Sequence, residues 1–96
     1  MNNNNLRTWR QTLNTTAEAI DFAGKLAHDE DVKAVSIKLL SGDCLLRGNP
    51  TDQWVDIGGG ISINIDFDKT DTASTPQIKS TSTGEVGIFA TVYVRG

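Results

Sequence analysis

Two stretches of this chain alternate apolar and polar side chains with the strict period of two that a half-buried strand imposes. In Ile61-Ser-Ile-Asn-Ile-Asp-Phe67, the residues Ile61, Ile63, Ile65 and Phe67 leave one face, while Ser62, Asn64 and Asp66 leave the other. From Val86 to Arg95, Val86, Ile88, Ala90, Val92 and Val94 share a face opposite Phe89, Thr91 and Tyr93, which reads as a central or well-covered strand. Val32 to Leu40 repeats the theme, with Val35, Ile37 and Leu39 inward and Ala34, Ser36 and Lys38 outward. Leu6 to Asn14 reads as a short strand, with a helical turn as the alternative; as a strand it puts Trp9, Gln11 and Leu13 on one face and Leu6, Thr8, Arg10 and Thr12 on the other.

Turn chemistry separates these runs. Ser41-Gly42-Asp43 is a tight-turn signal that would return Cys44 to Arg47 as the second strand of a hairpin. Gly58-Gly59-Gly60 follows the short run Trp54 to Ile57 and either turns a hairpin into Ile61–Phe67 or bulges one long strand.

A helix is expected in one place. Thr15 followed three residues later by Glu18 makes a capping-box pattern, and residues 16 to 29 then separate on a helical wheel. Ala19, Ile20, Ala23, Leu26 and Ala27 fall on one side; Glu18, Asp21, Lys25, His28 and Asp29 fall opposite, with Phe22 at the flank. Asp29-Glu30-Asp31 then marks a solvated turn. The fold class that follows is α+β, one amphipathic helix packed on a twisted, mostly antiparallel β-sheet of about four to six strands.

With 96 residues the chain has material for a single domain, 1–96. Residues 1–5 are a flexible polar lead-in, and the Ser/Thr-rich stretch 68–84, almost without apolar side chains, is a long loop with at most an edge strand at Gln77 to Thr81. No basic and apolar leader opens the sequence, and nowhere do about 18 apolar residues run together, so no membrane association and a cytoplasmic location are expected.

Nine Lys and Arg against twelve Asp and Glu leave a net charge of −3, the wrong sign for direct nucleic-acid binding. One cysteine, Cys44, and one histidine, His28, exclude an internal disulfide and a Cys/His zinc site. Cys44 reads as a small core residue, His28 as a surface group, and the triple glycine lacks the residues of a phosphate loop. No enzyme, cofactor or bound metal is therefore expected.

What remains is recognition. Asn64, Asp66 and Asp68 stand at successive i+2 positions, with Asp71 close behind, so they offer either a solvated face or a spaced line of oxygens. That line could meet a partner's Arg and Lys groups, or hold a hard divalent cation. Trp54 is either core filler for an alanine-rich helix face or an interface anchor. Phe89 and Tyr93 lie opposite the aliphatic face, covered by a loop or open to a partner. The expected function is a non-enzymatic protein-binding module using Trp54, Asn64, Asp66, Asp68, Asp71, Phe89 and Tyr93. A small inhibitor carried by a phage or mobile element, blocking a nucleic-acid-handling complex such as a CRISPR effector, is a special case. The alternative is a small-ligand or cation-binding domain using Asn64, Asp66, Asp68 and Asp71. A homodimer through an open edge strand is compatible with either.

Overall fold

The alternating residues 84–94 form the strand around which the larger of two sheets is built. A computed structural model describes residues 4–58, 62–66 and 76–94. These residues contain β1 (Asn4–Leu13), β2 (Glu18–Ala19), β3 (Glu30–Gly42), β4 (Leu45–Arg47), β5 (Val55–Asp56), β6 (Ser62–Asp66), β7 (Gln77–Lys79) and β8 (Gly84–Val94). Two four-stranded sheets result, ordered β1-β8-β3-β6 and β2-β7-β4-β5, with antiparallel pairing throughout.

The expected α+β architecture is thereby overturned, because every described element is a strand and no helix is found among the described residues. The segment read as a helix carries Gly24 at φ 71°, a left-handed conformation that a continuing helix excludes. Its local hydrogen bonds are those of turns. Asn14 Oδ1 accepts from the Thr16 amide at 2.8 Å, and Asp21 Oδ1 accepts from the Ala23 amide at 3.0 Å, the short-range competition that Asx side chains offer a helix. Glu18 closes no capping box but accepts from Gln11 Nε2 at 3.0 Å. Ala19, Ala23 and Ala27 are exposed; Ile20 is buried, and Phe22 and Leu26 pack against the core. An alanine-rich face had little apolar area to gain from helical burial, so three larger side chains decide the path.

The core lies between the sheets. On β8, Val86, Ile88, Ala90 and Val92 face inward and stand across from Leu39, Ile37, Val35 and Val32 of β3. Val32 and Val35 have opposite parity, and a β-bulge between Val32 and Ala34 reconciles them by adding Lys33 to one strand only. Leu13 closes one end, while Ile78, Cys44 and Ile57 come from the small sheet and its flanks. Fully burying an isoleucine such as Ile37 or Ile88 contributes roughly 1.5–3 kcal/mol before chain entropy is set against it.

Two predicted connections are corrected. Ser41-Gly42-Asp43 turns no hairpin: β3 pairs with β8 and β6, whereas β4 pairs with β5 and β7. The chain instead crosses from one sheet to the other at Asp43 and crosses back through residues 80–83. The crossings are clamped together, because the Asp43 carboxylate accepts hydrogen bonds from the Ser80 hydroxyl, the Thr81 amide and the Thr81 hydroxyl. These donors hold the Asp43 carboxyl below its ordinary pKa. Likewise β5 and β6 belong to different sheets and so do not pair as a hairpin; Gly59 and Gly60, which carry the rest of that expectation, lie outside the described residues. Within 68–84, β7 is an inner strand of its sheet rather than an edge, because β2 and β4 flank it.

Cys44 is the core residue its sequence context suggests, fully buried, with its thiol pushed up to about 11 chiefly by desolvation and further by Asp43 and Asp56. A thiol-specific reagent at neutral pH is expected to label it at least about a hundredfold more slowly in the native protein than in denaturant, since the thiolate is the reactive species. Equal rates in the two conditions would mean that Cys44 is accessible.

Candidate functional site

Register places the outward residues of the large sheet in rows across its four strands. One row runs Thr8, Phe89, Ser36, Asn64; the next runs Leu6, Thr91, Ala34, Asp66. Four of the predicted recognition positions, Asn64, Asp66, Phe89 and Tyr93, thus fall on the same register face, with Tyr93 opposite Asp31 at the far end. Asn64 Oδ1 accepts from the Ser36 hydroxyl at 3.4 Å, a long and weak bond. Asp68 and Asp71 lie outside the described residues. Trp54 does not join this group, because it stands beside the small sheet, with Arg47 and Lys79 on its ring. Among the described residues no group of three or more His, Cys, Asp or Glu side chains is placed to hold a metal ion.

The open face is apolar at its centre. Leu6 is 64% exposed, Leu40 42% and Phe89 41%, high values for side chains of this size. Phe89 and Leu40 lean over Gly87, reaching 3.4 and 3.6 Å from where a β-carbon would stand. Beside them Thr8 and Arg10 border a depression of about 340 Å³. Arg10 pairs only loosely with Glu85, at 3.6 Å and largely in solvent, so little energy ties it down.

Around the margin of the sheet the depression gives way to a second hollow, of about 530 Å³. Trp9, Arg10, Gln11 and Thr12 all line it, although their side chains alternate between the two faces of β1. Consecutive residues of a strand can line one cleft only along its edge, and β1 is the edge strand of its sheet. The opposite wall is Glu18 to Asp21, with Lys25. Gln11 spans the gap beneath: its Nε2 donates to Glu18 Oε1 at 3.0 Å and to the Ala19 carbonyl at 3.2 Å, and its Oε1 accepts from the Asp21 amide at 2.9 Å. A glutamine on an otherwise apolar face was the sequence signal that this strand would need polar partners from elsewhere in the chain. Trp9 packs edge-to-face on Phe22, ring centroids 5.7 Å apart, and its buried Nε1 has no hydrogen-bond partner among the described residues.

At the other end of β1 the cleft wall is anchored by an ion pair between a half-exposed arginine and a buried carboxylate. Glu30 accepts from Arg7 Nε at 3.1 Å and Arg7 Nη2 at 2.7 Å, from Asn5 Nδ2 at 3.1 Å, and from the Ala27 amide at 2.9 Å. The Arg7 guanidinium, first, and the Ala27 amide, second, hold its carboxyl down to about 2. The expected solvated turn at 29–31 is therefore corrected at its middle residue, since Glu30 is buried and structural. The charge pattern alone pointed to solvent; only the arrival of Arg7 from a strand 23 residues away makes burial tolerable.

Fold and site together define a small antiparallel protein of two sheets, with an open sheet face continuous with an open strand edge. Comparison with protein-family models, with curated proteins and with solved structures gives no match. No helix among the described residues is long and apolar enough to cross a membrane.

Proposed function

We propose that this protein is a protein-binding module that docks its partner along β1, using the edge cleft and the adjoining outer face of the large sheet. The observation that carries this reading is that four consecutive β1 residues, Trp9 to Thr12, line one cleft, which puts a strand edge that pairs with no other strand among the described residues beside exposed Phe89, Leu40 and Leu6. An extended segment of a partner can add to such an edge through main-chain hydrogen bonds. Its alternate side chains would then reach the depression over Gly87 on one side and the Trp9 wall on the other. An apolar centre rimmed by Thr8, Ser36, Asn64 and Arg10 has the anatomy of a recognition surface. β1 carries Arg7 and Arg10 and no acid, so an extended segment that is neutral or acidic suits it better than a second β1.

The test is affinity capture from cells that contain the protein, at low and high salt, comparing wild type with Phe89→Asp and with Gln53→Ala, an exposed position before β5 of the small sheet. A stoichiometric partner bound by wild type and by Gln53→Ala, but at least about thirtyfold more weakly by Phe89→Asp, is the expected outcome for an anchor at the centre of an interface. Equal capture by a folded Phe89→Asp variant, or none by wild type, would remove the reading.

A further inference from the structure

The small sheet carries on its outer side a group of residues that neither the fold nor the β1 surface uses. Leu45 stands across from Lys79 and Arg47 across from Gln77 in the β4–β7 ladder, so Arg47 and Lys79 are diagonal neighbours on one face, opposite the inward Ile78. Trp54 immediately precedes β5, which pairs with the other side of β4. All three side chains converge. Arg47 Cζ lies 4.2 Å from the centre of the Trp54 ring and Lys79 Nζ 4.5 Å from it. The two cationic centres can therefore be no further apart than the sum of those distances.

Two cations that share one indole repel each other to a degree set by their separation, and the ring's negative π-system offsets that repulsion. Among the described residues no carboxylate comes within ion-pair distance of either cation; the ion pairs present use Arg7 and Arg10. Asp56, which stands across from Leu45 in the same row as Lys79, turns its Oδ1 to the Gly58 amide at 2.7 Å. Gln77 Oε1 accepts from Arg47 Nε at 2.8 Å, which restrains the guanidinium through Nε rather than through its two terminal nitrogens. The arrangement is a preset pair of donors, one a planar fork and one a point charge, on a rigid aromatic support.

We infer that Arg47, Lys79 and Trp54 form a binding site for a tetrahedral oxyanion, a phosphate either free or carried as a monoester. Such a dianion can accept from the guanidinium fork and from the ammonium group together, and it offsets the positive charge that the two side chains gather around one indole. The site lies on the small sheet, and its existence does not depend on β1 binding a partner.

The experiment is an amide and indole NMR titration of the whole chain with inorganic phosphate, against sodium chloride at matched ionic strength. Saturable shifts are expected at the Trp54 indole N–H and at the Arg47, Gln77 and Lys79 amides, with Val86 and Ile88 unmoved. Arg47→Gln and Lys79→Gln should each weaken binding about tenfold or more, and Lys79→Arg should retain it. Lys79→Met, which keeps the apolar stem, replaces Lys79→Gln if the latter loses the native core signals. A second titration with phosphoserine separates the two sources: tighter binding than phosphate assigns the site to a monoester, and equal or weaker binding to the free ion. Linear shifts that chloride reproduces, or folded variants that bind like wild type, would overturn the inference.

Discussion

Alanine at Gly84 is expected to destabilise the fold by about 4 kcal/mol or more, the range reserved for changes the native backbone cannot absorb. Gly42 and Gly84 face each other at the end of the β3–β8 ladder, where the chain leaves the large sheet at Asp43 and re-enters it at Thr83. A β-carbon on Gly84 would overlap the Asp43 carbonyl oxygen, and one on Gly42 would overlap the Thr83 carbonyl oxygen and come within 2.8 Å of Gly84 Cα. Both obstacles are backbone, and Asp43 is further held by Ser80 and Thr81, so neither can step aside without releasing the clamp between the crossings. Gly42 adds a φ of 68°, where an L side chain costs roughly 1–2 kcal/mol by itself. Gly24 supplies the control. Its φ of 71° is equally left-handed, but nothing lies within 4 Å of its missing β-carbon. Gly24→Ala should therefore cost only about 1 kcal/mol, the conformational penalty reduced by the stiffer unfolded chain. Urea unfolding of the three alanine variants measures this directly. A Gly84→Ala protein as stable as Gly24→Ala would mean that the crossings do not touch as described.

Acidification is expected to unfold the protein through Glu30 first. Its folded-state pKa near 2 lies below the ordinary carboxyl value of 4.5 because Arg7, the Ala27 amide and Asn5 all donate to the ionised form. The unfolded chain therefore binds the proton more readily than the native one, and stability rises with pH across this window. The contribution is complete above the ordinary carboxyl range and is lost as pH falls from about 4.5 toward about 2. Asp43, held low by Ser80 and Thr81, acts in the same direction. Urea unfolding at a series of pH values should show an uptake approaching about one proton from Glu30 within that window. Glu30→Gln should remove that part of the slope and leave a smaller slope from Asp43, with lower stability at neutral pH because Arg7 loses its counter-charge. An unchanged slope in Glu30→Gln would show that this ion pair is not formed in solution.

Much of the strand framework was legible because it is a local property. The outward and inward residues of β3 between Ala34 and Leu39, and of β8 from Ile88 to Tyr93, were readable from parity alone; for β1 parity separated the two faces, and the structure decided which is inner. That parity also put Phe89 and Tyr93 on the face opposite the core, and Asn64 opposite Ile63 and Ile65. Trp9, Arg10, Gln11, Leu40, Arg47 and Lys79 were missed as site residues. Each acquires its role from a neighbour distant in sequence: Arg47 and Lys79 are 32 residues apart in the chain, yet meet over a single indole. The bulge at Lys33 was equally invisible, because only the pairing with β8 shows that Val32 and Val35 must face the same way.

The helix at 16–29 shows where local reading fails. Its wheel separated cleanly, and its first residues matched a capping pattern, but both signals are short-range and worth at most about 1 kcal/mol apiece. Against them stood the buried amide of Gln11, which needed Glu18, Ala19 and Asp21 in extended reach, and the pull of Ile20, Phe22 and Leu26 onto the core. The sequence by itself determined that this chain is built largely from half-buried strands, since period-two alternation is written residue by residue. Which strands pair, that they split into two sheets, and which cations and edges the described residues leave unpartnered were decided only by the tertiary structure, because those outcomes depend on contacts whose members the chain holds far apart until it folds.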